Sequence, residues 1–261
     1  MSDKEPGNID FHLVEAWIRE AGRIALQGRE SLITASKEDG SLVTDVDHRI
    51  ENYLYTQISS HYPGHQILAE EGTRQGGESE FLWTVDPIDG TRAYASGLPV
   101  WGISIGILKG HEPYAGYFFM PAVGELYAGS QDQACFNNRI RPPVRQDGWI
   151  PSTAFLAVPS NAHRYFDISF GRLRSLGSAT AHLAYVARGT ALAALTRHLY
   201  LWDIAPVMPL LDAAGVAVKY LSGQTFDLHQ LLDGSAAREP LVAAPSAVIG
   251  TILDSIRHKE N

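Results

Sequence analysis

The sequence predicts an α+β fold in which helices open the chain, a large and mostly antiparallel sheet follows, and a smaller α/β half closes it. Three observations carry this expectation. Leu13, Val14, Trp17, Ile18, Ala21, Ile24 and Ala25 recur at helical spacing. Short β-type runs separated by Pro, Gly and Asn fill the middle of the chain. Beyond residue 151, strand-like and helix-like runs alternate. At 261 residues and 45% hydrophobic content, one large domain and two tightly packed halves are both open.

From Ile9 to about Leu26 the pattern is that of an amphipathic packing helix. The polar stretch Ser31 to Ser41, with Lys37-Glu38-Asp39-Gly40, reads as a loop or hairpin. Thr44 or Asp45 then caps a second helix carrying Ile50, Tyr53, Leu54 and Ile58, which places Asp47 near its first turn. Strands are expected at 66–69, 81–85, 103–108, 114–120 and 125–129. The charged, proline-bearing segment Arg139 to Pro151 marks a boundary, giving halves at 1–145 and 146–261. The second half predicts strands at 153–158, near 172–176, 191–201, 216–221 and 241–244, with helices at 178–188, 204–214 and 246–258. There is no internal repeat or low-complexity tract.

A net charge of −8 and a pI of about 5.6 discourage non-specific attraction to nucleic acid or to acidic membranes. No apolar run approaches the roughly 18 residues of a membrane span, and Met1-Ser2-Asp3-Lys4-Glu5-Pro6 lacks the apolar centre of a secretory signal. The single Cys135 excludes an intramolecular disulfide framework and a thiolate-rich zinc site. Together these make a soluble cytoplasmic protein the expectation. The ten histidines show no metal-ligand spacing, so each is read as solvated or satisfied in the core.

The chemistry is concentrated in Trp83-Thr84-Val85-Asp86-Pro87-Ile88-Asp89-Gly90-Thr91. Here an apolar strand runs into two carboxylates that bracket a proline, and a Gly-Thr turn follows. Two acids so close repel each other unless a cation lies between them, and Mg²⁺ takes oxygen ligands while leaving room for phosphate oxygens. Pro87 fixes φ and removes one N–H between the two acids, which narrows the backbone's choices there. Further acids stand at Asp47, Glu70-Glu71 and Asp203. Alone, Asp203 reads as a helix cap.

Three motifs in order, Glu70-Glu71, Asp86-Pro87-Ile88-Asp89-Gly90-Thr91 and Trp202-Asp203, resemble those of the inositol monophosphatase family of Mg²⁺-dependent, lithium-sensitive phosphatases. The resemblance extends to Leu42-Val43-Thr44-x-x-Asp47 with Glu51, and to Asn137, and so runs over nearly the whole chain. It implies a layered αβαβα sandwich, two or three Mg²⁺ per site, a small phosphate monoester as substrate, and a homodimer. The implied metal ligands are Glu70, Asp86, the Ile88 carbonyl, Asp89 and Asp203. Glu70, Thr91 and Asp47 are implied as catalytic: Glu70 and the Thr91 hydroxyl beside a metal-activated water, and Asp47 accepting from Thr91. Gly90 and Thr91 are implied to receive phosphate through their backbone amides. Lys37 falls where the family often carries a lysine near that water. Glu71 is read as a more distant carboxylate or a solvent-facing one, because successive strand residues point to opposite sides.

Substrate contacts are implied at Ser178, Ala179, Thr196 and Asp203, with Arg92, Arg174, Arg188, Arg197 and Tyr200 as further candidates. Inositol-specific members place a carboxylate seven residues before the Trp-Asp aspartate, and Thr196 stands there in this chain. Inositol 1-phosphate or a related polyol phosphate is the first expectation and histidinol phosphate the second. Fructose 1,6-bisphosphate and 3′-phosphoadenosine 5′-phosphate are further alternatives, and Gly97-Leu98-Pro99-Val100-Trp101-Gly102 leans away from the nucleotide. A non-catalytic metal-binding regulator is the contrasting reading, and the intact acid set opposes it.

Overall fold

The computed structural model describes residues 9–37, 40–130, 133–136, 139–140 and 146–259. Helix α1 (Phe11–Gly28) starts at Asp10, whose carboxylate accepts the amides of His12 and Leu13 at 3.1 and 3.3 Å. A hairpin of β1 (Thr34–Ser36) and β2 (Leu42–Thr44) leads into α2 (Asp45–His61). Thr44 and Asp47 close a capping box at that junction. Both helices lay Val14, Trp17, Ile18, Ile50, Leu54 and Ile58 onto one face of the large sheet.

That sheet comprises β3 (Gln66–Ala69), β4 (Arg74–Gln75), β5 (Phe81–Asp89), β6 (Gly102–Lys109), β7 (Glu112–Met120), β8 (Glu125–Ser130), β9 (Gln133–Phe136) and β10 (Arg139–Ile140), with the short helix α3 (Thr91–Ala95) after β5. Its order is β10-β9-β8-β7-β6-β5-β3-β4. The pair β3 and β5 is parallel and the others are antiparallel. Alternation decides the faces: Trp83, Val85, Ile103, Ile105 and Tyr117 meet α1 and α2, while Leu82, Leu108, Phe118 and Tyr127 face the second half.

In the second half, β11 (Leu156–Ala157), α4 (Ala162–Tyr165), β12 (Phe166–Ile168), β13 (Leu173–Arg174), α5 (Ala179–Ala187), β14 (Ala193–Thr196), α6 (Leu201–Ile204), α7 (Met208–Ala213), β15 (Val216–Tyr220), β16 (Leu241–Pro245), α8 (Ile249–Asp254) and β17 (Ile256–His258) follow. The second sheet has the order β13-β11-β14-β16-β15, and β12 pairs with β17 separately. Helices α5, α6 and α7 lie between the two sheets in one core shared by both halves. Helix α8 covers the far face with Ile249 and Ile252 against Leu195 and Val242. The result is an αβαβα sandwich. Among the described residues no helix is long and apolar enough to cross a membrane.

Four elements differ from the sequence pattern, each for a local reason. Strand β5 continues through the motif to Asp89, with a register shift between Asp86 and Asp89 opposite Ser104 and Gly102. The helix expected at 204–214 is two helices, α6 and α7, because Pro206 interrupts it and Pro209 restarts it. The strand expected at 191–201 stops at Thr196, since His198 turns with φ 54°. The helix expected at 246–258 ends at Asp254 and yields to β17.

Glycines fix where α6 and α7 sit. Gly106, Gly116 and Gly129 are cross-strand neighbours on β6, β7 and β8, and a Cβ on Gly116 would lie 1.9 Å from the Pro206 carbonyl oxygen. The smooth patch lets the Ala205-Pro206 link lie directly on the sheet, which holds Asp203 over β5. Gly116→Ala is therefore expected to cost about 2–3 kcal/mol by overpacking against backbone, a fall in Tm of roughly 5–10 °C. Gly250→Ala, which meets nothing within 4 Å, is the control and leaves Tm unchanged or slightly higher. A thermal melt of the two variants checks this.

Candidate active site

The bulged end of β5 delivers Asp86 and Asp89, and the start of α6 delivers Asp203. Carboxylate oxygens of these three residues lie within 4.8 Å of one another, and all three side chains are buried. Asp89 is held by the N-terminus of α5: it accepts from the Ser178 hydroxyl at 2.5 Å, the Thr180 amide at 2.7 Å and the Ala179 amide at 3.2 Å. Asp203 accepts the Tyr200 amide at 2.7 Å, and its carbonyl takes the Thr180 hydroxyl at 2.9 Å. Asp86 Oδ1 is buried with no hydrogen-bond partner among the described residues.

Burial is the first cause raising the pKa of all three acids, and it is reinforced by neighbours. For Asp86 these are Glu70, Asp89 and Asp203; for Asp203 the main one is Asp89. Hydrogen bonds from Ser178, Ala179 and Thr180 oppose the rise at Asp89. Ionising the set therefore requires positive charge among these oxygens. Hard oxygen donors without nitrogen or sulfur fit Mg²⁺ or a similar cation, and the orphaned Asp86 oxygen supplies an open coordination position.

Glu70 follows β3 and is tied to β5 by its amide, which donates to the Val85 carbonyl at 3.1 Å. Its carboxylate accepts from Lys37 Nζ at 3.0 Å, and the same ammonium reaches Glu71 at 2.7 Å. The structure thus brings Lys37 to both acids, and Glu71 is buried instead of facing solvent. Glu51 shapes this corner by accepting the amides of Glu71 and Thr73 at 2.8 and 2.9 Å.

Asp47 occupies the first turn of α2, with one oxygen accepting from the Thr44 amide at 2.9 Å and the Thr44 hydroxyl at 2.5 Å. Its other oxygen stands 3.4 Å from the Thr91 hydroxyl, which is closer, at 3.0 Å, to the Ile88 carbonyl. Burial pushes Asp47 up to about 6. Gly90 has φ 90°, and a Cβ there would come 2.7 Å from the Gly177 carbonyl, so glycine is required both for the left-handed turn and for the approach of α5.

A cavity of about 180 Å³ adjoins this cluster and is lined by Ser178, Ala179, Thr196 and Arg197 together with Ser160, Ser175 and His182. Ser178 is buried and its hydroxyl is committed to Asp89, so it reaches the cavity as part of the wall. The other candidates separate by their partners. Arg188 is paired with Glu125 at 2.6 Å, Arg92 donates to the Gly40 carbonyl at 2.7 Å, Arg174 lies over Phe155, and Tyr200 stacks on Trp202. Asn137 lies outside the described residues. Sequence reasoning passed over Thr180, which ties two of the acids together, although its place two residues after Ser178 was a usable signal. His182 accepts the Leu176 amide at 3.0 Å, and burial lowers it to about 4; it is a neutral, core-satisfied histidine.

The sequence matches the model of the inositol monophosphatase family over residues 8–247. It is 32% identical to an inositol-1-monophosphatase of Bacillus subtilis over 244 residues, 85% of this chain and 91% of the relative. A histidinol-phosphatase of Chlorobaculum parvum is 28% identical over 267 residues, covering 96% and 98%. Among solved structures, an IMPase/NADP phosphatase complexed with Mg²⁺ and phosphate superposes with a TM-score of 0.79 at 22% identity, covering 93% of each chain.

Proposed function

The chain belongs to the inositol monophosphatase family and is a phosphoric monoester hydrolase, and from that premise we propose that it hydrolyses a small polyol phosphate with Mg²⁺ held by Glu70, Asp86, the Ile88 carbonyl, Asp89 and Asp203. The observation that carries the proposal is the buried triad of carboxylates within 4.8 Å, one oxygen of which has no partner among the described residues. The solved relative with Mg²⁺ and phosphate supports the choice of ion. Two or three Mg²⁺ bound there would supply Lewis acidity and charge neutralisation at the phosphate.

The chain's own residues set the water and its protons. Glu70 and the Thr91 hydroxyl are assigned to hold the attacking water as acceptors. A hydroxyl has one proton, and Thr91 has two acceptors in reach, the Ile88 carbonyl and Asp47. Were the Ile88 carbonyl engaged by a cation, Asp47 would be the remaining acceptor for Thr91, and a Thr91 lone pair would be left for the water. Asp47 is a positioning residue, anchored by Thr44. Lys37 lowers the charge carried by Glu70 and Glu71 before a cation arrives. Gly90 and Thr91 present backbone amides to the phosphate. Lithium inhibition and a homodimeric state belong to the same reading and rest on the family resemblance alone.

Among the described residues no carboxylate lines the cavity beside the cluster, so a cationic leaving group such as histidinol finds no counter-charge from them there. Phosphate release with Mg²⁺ present is to be compared across inositol 1-phosphate, fructose 1,6-bisphosphate, histidinol phosphate and 3′-phosphoadenosine 5′-phosphate. The polyol esters are expected to show the highest kcat/KM, the quantity that defines specificity. Preference for histidinol phosphate would overturn the substrate assignment, and release from none of them would overturn the hydrolytic one.

A further inference from the structure

The cavity beside the acidic cluster has the opposite character to the cluster itself. Ser178 links the two, its hydroxyl donating to Asp89 at 2.5 Å while the residue lines the cavity, which makes the cavity a place for the far end of a ligand whose phosphate would meet the acids. None of the ten lining residues is acidic. Its polar side chains include the Arg197 guanidinium and the hydroxyls of Ser160, Ser175 and Thr196, while His182 is committed to the Leu176 amide. Thr196 points its hydroxyl at the Leu241 carbonyl, 3.5 Å away, while no described residue takes a hydrogen bond from Ser160 or Ser175.

Arg197 is the residue that sets the charge. Its Cζ lies 3.6 Å from the centre of the Tyr165 ring, and no described carboxylate lies within ion-pair distance of it. Stacking fixes the plane of a guanidinium and leaves its in-plane N–H groups free to donate. The other candidate arginines are accounted for differently: Arg188 by Glu125, Arg92 by a backbone carbonyl, and Arg174 by its exposed place over Phe155. In the neighbouring cavity, which shares Pro159, Ser160 and Ser175, the one acid is Asp167, and it is paired with Lys259 at 3.6 Å. A half-buried cation beside the exposed hydroxyls of Ser160 and Ser175, joined to the carboxylate cluster through Ser178, is an incomplete anion site.

We propose that the physiological substrate carries a second anionic group, a phosphate or a carboxylate, which Arg197 receives together with Ser160 and Ser175. The proposal rests on the polyol phosphate reading above and narrows it. It makes Arg197 a specificity residue that distinguishes a bis-anionic ester from a neutral polyol monophosphate.

Two substrate pairs isolate the second charge. Fructose 1,6-bisphosphate and fructose 1-phosphate differ by a phosphate, whereas 2-phosphoglycerate and glycerol 2-phosphate differ by a carboxylate in place of a hydroxymethyl group. In at least one pair the anionic member is expected to have a kcat/KM at least about tenfold higher, as for a charge-assisted hydrogen bond, and the pair concerned identifies the group. Arg197→Met is expected to bring that ratio down to within about threefold, and Arg197→Lys to retain part of it. Equal kcat/KM within both pairs, or a preference that survives Arg197→Met, would overturn the proposal. The same ratios are to be read as calorimetric dissociation constants in Asp47→Asn with Mg²⁺ present. Failure of the hydrolytic reading would then appear as no phosphate release from any ester, while ligand ranking still decides the role of Arg197.

Discussion

Asp86→Asn is expected to lose phosphate release by about 10³-fold or more while making the metal-free protein more stable. The first effect follows because a neutral amide removes one anionic group from the proposed cation site, whose cations would stabilise transition-state charge by several kcal/mol, and each 1.36 kcal/mol is tenfold in rate. The second follows from burial. Asp86 is enclosed among Glu70, Asp89 and Asp203, and these surroundings hold its pKa well above the ordinary carboxylate range. A group whose folded pKa is raised binds its proton more tightly in the folded state. Its contribution is unpenalised below the unfolded value of about 3.9 and costs stability as pH rises through the folded value. At neutral pH without cations, the wild type carries that cost and the variant does not. A gain of about 1 kcal/mol would raise Tm by roughly 2–4 °C in a chain of this size. Melts in EDTA and phosphate-release assays in Mg²⁺ check both halves. A variant that is both less stable and inactive would reduce Asp86 to a packing role.

Thr91→Ala is expected to lower kcat by about 10²-fold or more, within the range for a positioned proton-transfer group, while changing Mg²⁺ affinity by less than about threefold. The hydroxyl lies 3.0 Å from the Ile88 carbonyl and 3.4 Å from Asp47, so its removal leaves the carboxylate triad intact. Thr91→Ser keeps the hydroxyl and is expected to restore most of the rate. Steady-state kinetics over a Mg²⁺ titration separates the two parameters. An equal loss in Thr91→Ser would show that the methyl contact matters and the hydroxyl does not.

Much of the acid set was legible because it lies in short motifs whose local geometry is set by adjacent residues. Asp47 is held by the Thr44 cap three residues away, and Asp86 and Asp89 ride one strand end. The sandwich was legible through the resemblance, and the two opening helices and five strands of the large sheet through periodicity. What the pattern did not reveal depends on contacts distant in sequence. Pro206 and Pro209 signal the break between α6 and α7 locally, but where the chain lies at that break is set by Gly106 and Gly116, 100 and 90 residues earlier. Four arginines read alike in the sequence. Only folding separates Arg188, bound to Glu125, from Arg197, stacked on Tyr165 without a carboxylate partner among the described residues. Ser178 reads as a substrate contact because it lies in Leu176-Gly177-Ser178-Ala179, a stretch that resembles one lining the family's pocket; it does line the cavity, while its hydroxyl goes to Asp89, 89 residues away, which the sequence pattern does not reveal.

The central claim is that Asp86, Asp89 and Asp203 form a cation site on which hydrolysis depends. Calorimetric titration of Mg²⁺ into the EDTA-treated, dialysed wild type and Asp86→Asn tests it most directly. Saturable binding in the wild type that is weakened at least tenfold in the variant is the predicted result. Absence of binding in the wild type, or equal binding in both proteins, would contradict the claim.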